Sequence, residues 1–219
     1  MMVMRAFLRF FFKHLYTTFA WAYDFVAAVT SLGQWGNWQK VGLAALPTQG
    51  VTLEIGHGPG HLLLQRTRSG YLIVGVDSSK QMARIAARRL RRAGYSTINA
   101  RSLVQALPFA DQTFAAALAT FPADFIFQPA ALSEIWRVLR PGGSMVVVLG
   151  AQITGSAIFE RLLAWLYQVT FEAIEPEQRW AQPFLEQGFE ARVEQIQQSH
   201  AIVVCVVGVK PAEGDGLRQ

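Results

Sequence analysis

The chain has a single cysteine and only 16% charged residues in a length of 219. With Cys205 alone no disulfide can close within the chain, and no Cys/His cluster has zinc spacing, so a metal or disulfide staple is not expected. The length makes such staples unnecessary, since it suits one domain plus a modest extension and buries a core unaided. A reducing interior is the expected setting, specifically the cytoplasm with peripheral contact to the inner membrane face. Internal repeats and low-complexity tracts are also missing. Acid is scarce where base is dense: Lys80, Arg84, Arg88, Arg89, Arg91 and Arg92 share a stretch with no Asp or Glu. The whole chain carries +5, so everything outside that stretch sums to −1.

Apolar content, at 52%, leans toward lipid contact. Residues 1–46 are predicted to form a helical extension crowded with Phe7, Phe10, Phe11, Phe12, Tyr16, Phe19, Trp21, Tyr23 and Phe25. Asp24 and three threonines make a membrane span costly there, and the aromatics do not resemble a signal-peptide core. Arg5, Arg9 and Lys13 recur one helical turn apart, as on a helix lying in a bilayer interface. Packing of the same aromatics on the domain is the alternative. Trp35-Gly36-Asn37-Trp38 reads as a turn before a short helix.

The centre of the chain is Val51-Thr52-Leu53-Glu54-Ile55-Gly56-His57-Gly58-Pro59-Gly60-His61. An apolar, β-branched run predicts a buried strand, alternating glycines a loop, and Leu62, Leu63 and Leu64 the start of a helix. Such a loop brings bare backbone close to a ligand and aims helix N–H groups at it. A dinucleotide fingerprint has a similar outline, but His61 stands where its third glycine belongs. A second strand over 71–76 ends at Asp77, 23 residues beyond Glu54, where a Rossmann-like fold places a carboxylate for ribose hydroxyls. The competing role is a helix cap. Ser78 with Gln81 fits a capping box, which would leave Asp77 for a ligand.

A basic helix over 79–93 follows. Its stripe reads first as a solvated face, then as a surface for anionic lipid, then for nucleic acid. Further strands are expected near 96–100, 115–120 and 144–149, with a helix over 129–139 and a turn at Arg140-Pro141-Gly142-Gly143. Asp124 and Phe121 follow the fourth strand, at the end where open α/β sheets hold ligands. Residues 155–188 read as a helical insertion or lid, 190–209 as an antiparallel hairpin, and 211–219 as a frayed tail.

Four stretches in order resemble the class I S-adenosylmethionine (SAM) methyltransferases: Leu53 to Gly60, Val74-Gly75-Val76-Asp77-Ser78, Ala106-Leu107-Pro108-Phe109 with Phe114, and Arg137 to Gly143. The combination is most similar to the branch containing quinone-biosynthesis and phospholipid N-methyltransferases. The resemblance implies a Rossmann-like, doubly wound α/β fold with a mostly parallel seven-stranded sheet, over 47–210. It also implies SAM as cofactor, near Glu54, Gly56, His57, Gly58, Gly60, Asp77, Ser78, Met82, Leu103 and Phe121. Glu54 would anchor the loop and the amino group, and Asp77 the ribose. Two acids common in the family are missing here. Asn99 to Val104 has none, leaving adenine to apolar packing by Leu103, and Ala115 follows Phe114.

Methyl transfer is an in-line displacement that needs alignment and exclusion of water. A phenol or carbon acid also benefits from a base. Asp124 and Tyr23 are the catalytic candidates. His57 is a candidate with a packing role as its alternative; His61, Asp24 and Tyr16 are weaker. The expected activity is methylation of a lipophilic small molecule, a quinone precursor or phospholipid headgroup, near a membrane. A non-catalytic SAM-binding or membrane-associating module is the alternative, and an NAD-linked oxidoreductase fits less well.

Overall fold

The computed structural model describes residues 34–96, 99–154, 177–199 and 201–212. The expectations for the aromatic and basic segment before residue 34, including Tyr16, Tyr23 and Asp24, lie outside the described residues. So do those for most of the 155–188 insertion and for the end of the tail.

A helix α1 (Trp35–Ala44) leads into β1 (Thr52–Ile55), α2 (His61–Arg68), β2 (Ile73–Asp77), α3 (Lys80–Arg92) and β3 (Asn99–Arg101). Then come β4 (Phe114–Thr120), a 3-10 turn at Asp124–Phe127, α4 (Pro129–Val138) and β5 (Leu139–Ile153). The chain closes with a 3-10 turn (Gln178–Trp180), α5 (Gln182–Gln187), β6 (Glu190–Gln198) and β7 (Ala201–Val209). The seven strands run in the order β3-β2-β1-β4-β5-β7-β6. Pairs from β3 to β5 are parallel and those of β7 with β5 and β6 antiparallel, as the α/β reading expected.

Period-two burial sorts the strand residues onto two faces. Leu53, Ile55, Ala117, Ala119, Met145, Val147, Val204 and Val206 pack with Leu132, Ile135 and Val138 of α4 and Phe184 of α5. Ala116, Leu118, Val146, Val148, Val203 and Cys205 pack with Trp38 and Val41 of α1 and Leu62 of α2. Both faces are covered, so the strands are apolar along their whole length. Gly42 brings α1 close: a Cβ there would sit 2.7 Å from a Leu118 methyl and 2.9 Å from a Val148 methyl. Residues 35–44, read with the extension, are thus packed into a layer of the sheet domain. Burial raises the Cys205 thiol to about 12, which keeps it protonated and inert.

Two turns expected from glycine content take other forms. Trp35 to Trp38 is the first turn of α1, because Trp38 is needed on the buried face at helical spacing from Val41. Arg140 to Gly143 lies inside β5 as a bulge, where pairing shifts from Phe114↔Leu139 to Ala116↔Ser144. The partners that make it sheet come from the chain's other end: Gly142 donates to the Lys210 carbonyl, and the Lys210 N–H to the Gly143 carbonyl. The third strand runs to Arg101, one residue past its expected end.

Arg137 ties two of the family-like stretches together. It donates to the carbonyls of Phe109 (2.7 Å) and Leu107 (3.1 Å) and to Asp111 and Glu134 (2.7 Å each). Glu134 accepts in turn from the Leu107 N–H at 2.7 Å. These bonds hold the Glu134 carboxyl below its ordinary range and raise the guanidinium. The stretches around Leu107 and Arg137 therefore position β4 and β5, and the site falls to the other two.

Candidate functional site

Strands β1, β2 and β3 progress toward one edge of the sheet, while β4 and β5 progress toward the other. The reversal opens a crevice outside the carboxyl ends of β1 and β4, the position at which open α/β sheets bind ligands. Ile55 pairs with Ala119, so the loop that begins at Gly56 faces the turn at Phe121 across this crevice.

The three loop glycines divide the work. All have positive φ, at 70°, 52° and 79° for Gly56, Gly58 and Gly60. Among the described residues, a Cβ on Gly56 or Gly58 would meet nothing within 4 Å, which is the space a ligand needs to reach bare backbone. At Gly60 a Cβ would lie 2.7 Å from the Ala86 Cβ. Gly60 thus lets α3 seat against the loop, a packing role that the sequence did not announce. The loop is further held by Arg89 of α3, which donates to the Pro59 carbonyl at 2.5 Å.

Asp77, at the tip of β2, holds the neighbouring bend. Its Oδ2 accepts from the Gly58 N–H at 2.9 Å and its Oδ1 from the Ser79 N–H at 2.7 Å. The helix cap is Ser79, whose Oγ accepts from the Met82 N–H at 3.3 Å, so the expected Ser78 capping box is displaced by one residue. A carboxylate has about four acceptor positions. Asp77 can therefore serve the loop, the helix start and further donors together.

Glu54 is 2% exposed, and its Oε2 has no hydrogen-bond partner among the described residues. Burial first, and the charge of Asp77 second, push its carboxyl up to about 8; the Leu63 N–H opposes this. An unpartnered buried carboxyl beneath an open glycine loop is a costly arrangement unless a cationic or donor group completes it. Glu54 pairs in register with Gly75, so both point to the face covered by α2. The His57 ring packs there: a Cβ on Gly75 would lie 2.8 Å from its Cδ2 and from Leu63. The Nδ1–H of His57 donates to the Gly58 carbonyl at 2.7 Å, and its buried Nε2 has no partner among the described residues. Burial lowers the imidazole pKa, with Asp77 opposing. His57, 3% exposed, fills the underside of the loop, the packing role weighed against its candidacy. Gly75 went unnoticed in the sequence as a site residue. A glycine inside the strand Ile73–Asp77 was the available signal of a close approach.

The remaining expected contacts divide. Ser78 is exposed and its carbonyl accepts from Arg101 Nε at 3.0 Å. Leu103, 61% exposed beyond the end of β3, offers an apolar surface on the same side of the sheet. Met82, at 1% exposure, is turned into the packing face of α3, and its side chain is closed to a ligand. Asp124 is exposed at the start of its 3-10 turn.

Across the crevice Phe121 adopts φ 50°, rare for a residue with a side chain. Its N–H donates to the Val148 carbonyl at 2.7 Å. Its ring stacks on Trp35 with centroids 4.1 Å apart and an interplanar angle of 29°, and meets Trp38 at 6.4 Å. Gln39 of α1 donates to the Thr120 hydroxyl at 3.3 Å. Trp35 was missed as a site residue; the i, i+3 spacing of the two tryptophans was the signal that one helical face would carry both to β4.

Comparison with known proteins agrees with this geometry. Residues 53–147 match a family described as a methyltransferase domain. A demethylmenaquinone methyltransferase of Roseiflexus castenholzii is 30% identical over 169 residues, covering 75% of this chain and 68% of that one. Relatives of this kind are spanned over 52% to 68% of their length. Among solved structures, a SAM-dependent methyltransferase from Thermotoga maritima superposes with a TM-score of 0.64 at 20% identity, over 90% of this chain and 98% of that one. Phosphoethanolamine N-methyltransferase 2 of Haemonchus contortus, solved with SAM, superposes with a TM-score of 0.59 at 16% identity, over 82% and 53%.

Proposed function

The chain belongs to the class I SAM-dependent methyltransferases, and from that membership we propose that it methylates a lipophilic small molecule near a membrane surface. The acceptor class we favour is the ring of a quinone precursor. The observation that carries the reading is the crevice itself. Open backbone at Gly56 and Gly58 and the unpartnered buried Oε2 of Glu54 lie on one side, and the Phe121–Trp35 stack lies on the other. The residues fit SAM. Asp77 would take the ribose hydroxyls, Glu54 the amino group, and Leu103 would pack on adenine. When bound, SAM supplies an electrophilic methyl group on a sulfonium.

The protein's share of the chemistry is placement. Gly56 and Gly58 allow close approach of the donor, and Phe121 and Trp35 give a planar acceptor an apolar wall, so that the reacting atoms meet in line. Asp124 is the candidate to accept a proton from a phenol or carbon acid. Tyr23, the other catalytic candidate, lies outside the described residues. The phosphoethanolamine enzyme among the structural neighbours keeps a phospholipid headgroup as the second acceptor class, for which the amine must arrive neutral. A SAM-binding protein without transfer is the reading favoured by the lack of acid between Asn99 and Val104.

Methyl-labelled SAM incubated with a fractionated lipid extract tests all three. A labelled product with the mass of a quinone precursor supports the first reading, and a methylated headgroup the second. Calorimetric SAM binding with no product in any fraction supports the third.

A further inference from the structure

The two edges of the sheet carry opposite charge. From Ile55 to Ala110, the segment that builds the β3 edge, nine residues are Lys or Arg and one, Asp77, is acidic. From Glu177 to Ser199, which builds the β6 edge, four are Glu and two Arg. On the β3 edge α3 buries Met82, Ala86 and Leu90 toward the sheet. It turns Lys80, Arg84, Arg88, Arg91 and Arg92 outward, all exposed.

Two shallow clefts flank that outward face. One, of about 630 Å³, is lined by Lys80, Arg84, Arg88 and Arg101 beside Ser78 and Ser79. The other, of about 380 Å³, has Leu64, Ile85 and Ala93 between Arg68, Arg88, Arg89 and Arg92. The clefts meet at Ile85 and Arg88, so the cationic groups stand around an apolar patch of Leu64, Ile85 and Ala93 beside the second half of the helix.

We propose that this face of α3, with Arg68 and Arg101 at its margins, docks the protein on an anionic phospholipid bilayer. The proposal rests on the membrane half of the reading above and is independent of methyl transfer. Charge complementarity favours an anionic surface, and the arrangement selects a bilayer over nucleic acid. Arginine stems lie along apolar surface while their heads reach phosphates, as at a lipid interface. Among the described residues lining the two clefts none is aromatic, so bases would have no stacking platform. The like-charge i, i+4 row of Arg84, Arg88 and Arg92 costs helix stability in water, a cost that anionic headgroups relieve. Docked this way, the Lys80 end of α3 sets the tip of β2 and the crevice mouth at the membrane surface, where a lipophilic acceptor resides.

The test is co-sedimentation of the full chain with phosphatidylcholine vesicles, with and without phosphatidylglycerol. The wild type should bind only the anionic vesicles, and less well at high salt. The triple variant Arg84→Glu/Arg88→Glu/Arg92→Glu should bind them on the order of a hundredfold more weakly. Arg89 is left intact because it holds Pro59. The milder Arg84→Gln/Arg88→Gln/Arg92→Gln variant guards against misfolding and should lose at least about tenfold. Calorimetry with SAM should give wild-type affinity in both variants, so failure here stays separate from failure of the methyltransferase reading. Wild-type vesicle binding by folded variants, equal binding to neutral vesicles, or preferential retention of transfer RNA over anionic vesicles would each overturn the proposal.

Discussion

The β1-β2-β3 side and the β5-β7-β6 side of this sheet are built to opposite specifications. The first has strands of 4, 5 and 3 residues; the second has strands of 15, 9 and 9. The short side ends in positive-φ glycines, an unpartnered buried carboxyl and a buried imidazole, features that lower stability unless a ligand completes them. The long side is an antiparallel ladder, bulged between Val148 and Gly150, over an apolar layer. Stability held on one side allows the other to carry backbone and charges in costly states, which is how a fold retains a reactive mouth on marginal net stability.

Five substitutions test that division, the largest effect first. Phe184→Ala removes a fully buried ring lying 5.9 Å from Phe189 and 6.1 Å from Phe127. It should cost about 3–5 kcal/mol in denaturant unfolding, with SAM affinity unchanged in calorimetry of the folded fraction. A matching loss of affinity would show that the two sides are not separable.

Gly60→Ala and Gly56→Ala separate packing from binding within one loop. At Gly60 the added methyl meets Ala86, and left-handed strain adds to overpacking, for a stability loss of roughly 2–4 kcal/mol. At Gly56 the methyl enters open space, so about 1–2 kcal/mol of strain remains. SAM affinity should fall further in Gly56→Ala than in Gly60→Ala. The reverse order, read by thermal melts and calorimetry together, would contradict the assignment of the open glycines to the ligand.

Asp77→Ala should weaken SAM binding about tenfold to a hundredfold, the range for hydrogen bonds to a charged group. Unchanged affinity would confine Asp77 to bracing Gly58 and Ser79.

The smallest effect is a pH slope. With its carboxyl raised to about 8, Glu54 keeps its proton in the folded chain where the unfolded chain has lost it. Its contribution to stability is complete below about 4.5 and is lost as pH rises through about 8. His57, depressed by burial, acts in the opposite sense, losing its contribution as pH falls below 6.5. Melts of ligand-free protein from about pH 6.5 to about 8 therefore isolate Glu54. The wild type should lose stability across that window and Glu54→Gln should not. Parallel slopes would remove the buried carboxyl as their source.

Much of this arrangement was legible in the residues. Strand, glycine loop and helix around Gly56 follow from periodicity and from glycine at alternate positions, and Asp77 from its place at the end of an apolar run. Those signals are local, each written within a dozen residues. What escaped was contact between distant stretches. The Arg140 to Gly143 segment looks like a turn until Lys210, at the far end of the chain, supplies its partners. Ser78 looks like the cap until Asp77 takes the Ser79 N–H and leaves the Ser79 hydroxyl to do it.

Composition and spacing alone thus specified the α/β class, the glycine bend and the basic helix over 80–92, because propensity, glycine conformation and charge act over neighbouring residues. The division among the glycines, the burial of His57 and Met82 and the stacking of Trp35 on Phe121 arose from packing. Which atoms fill a space depends on partners brought together from across the chain, and no local pattern encodes that.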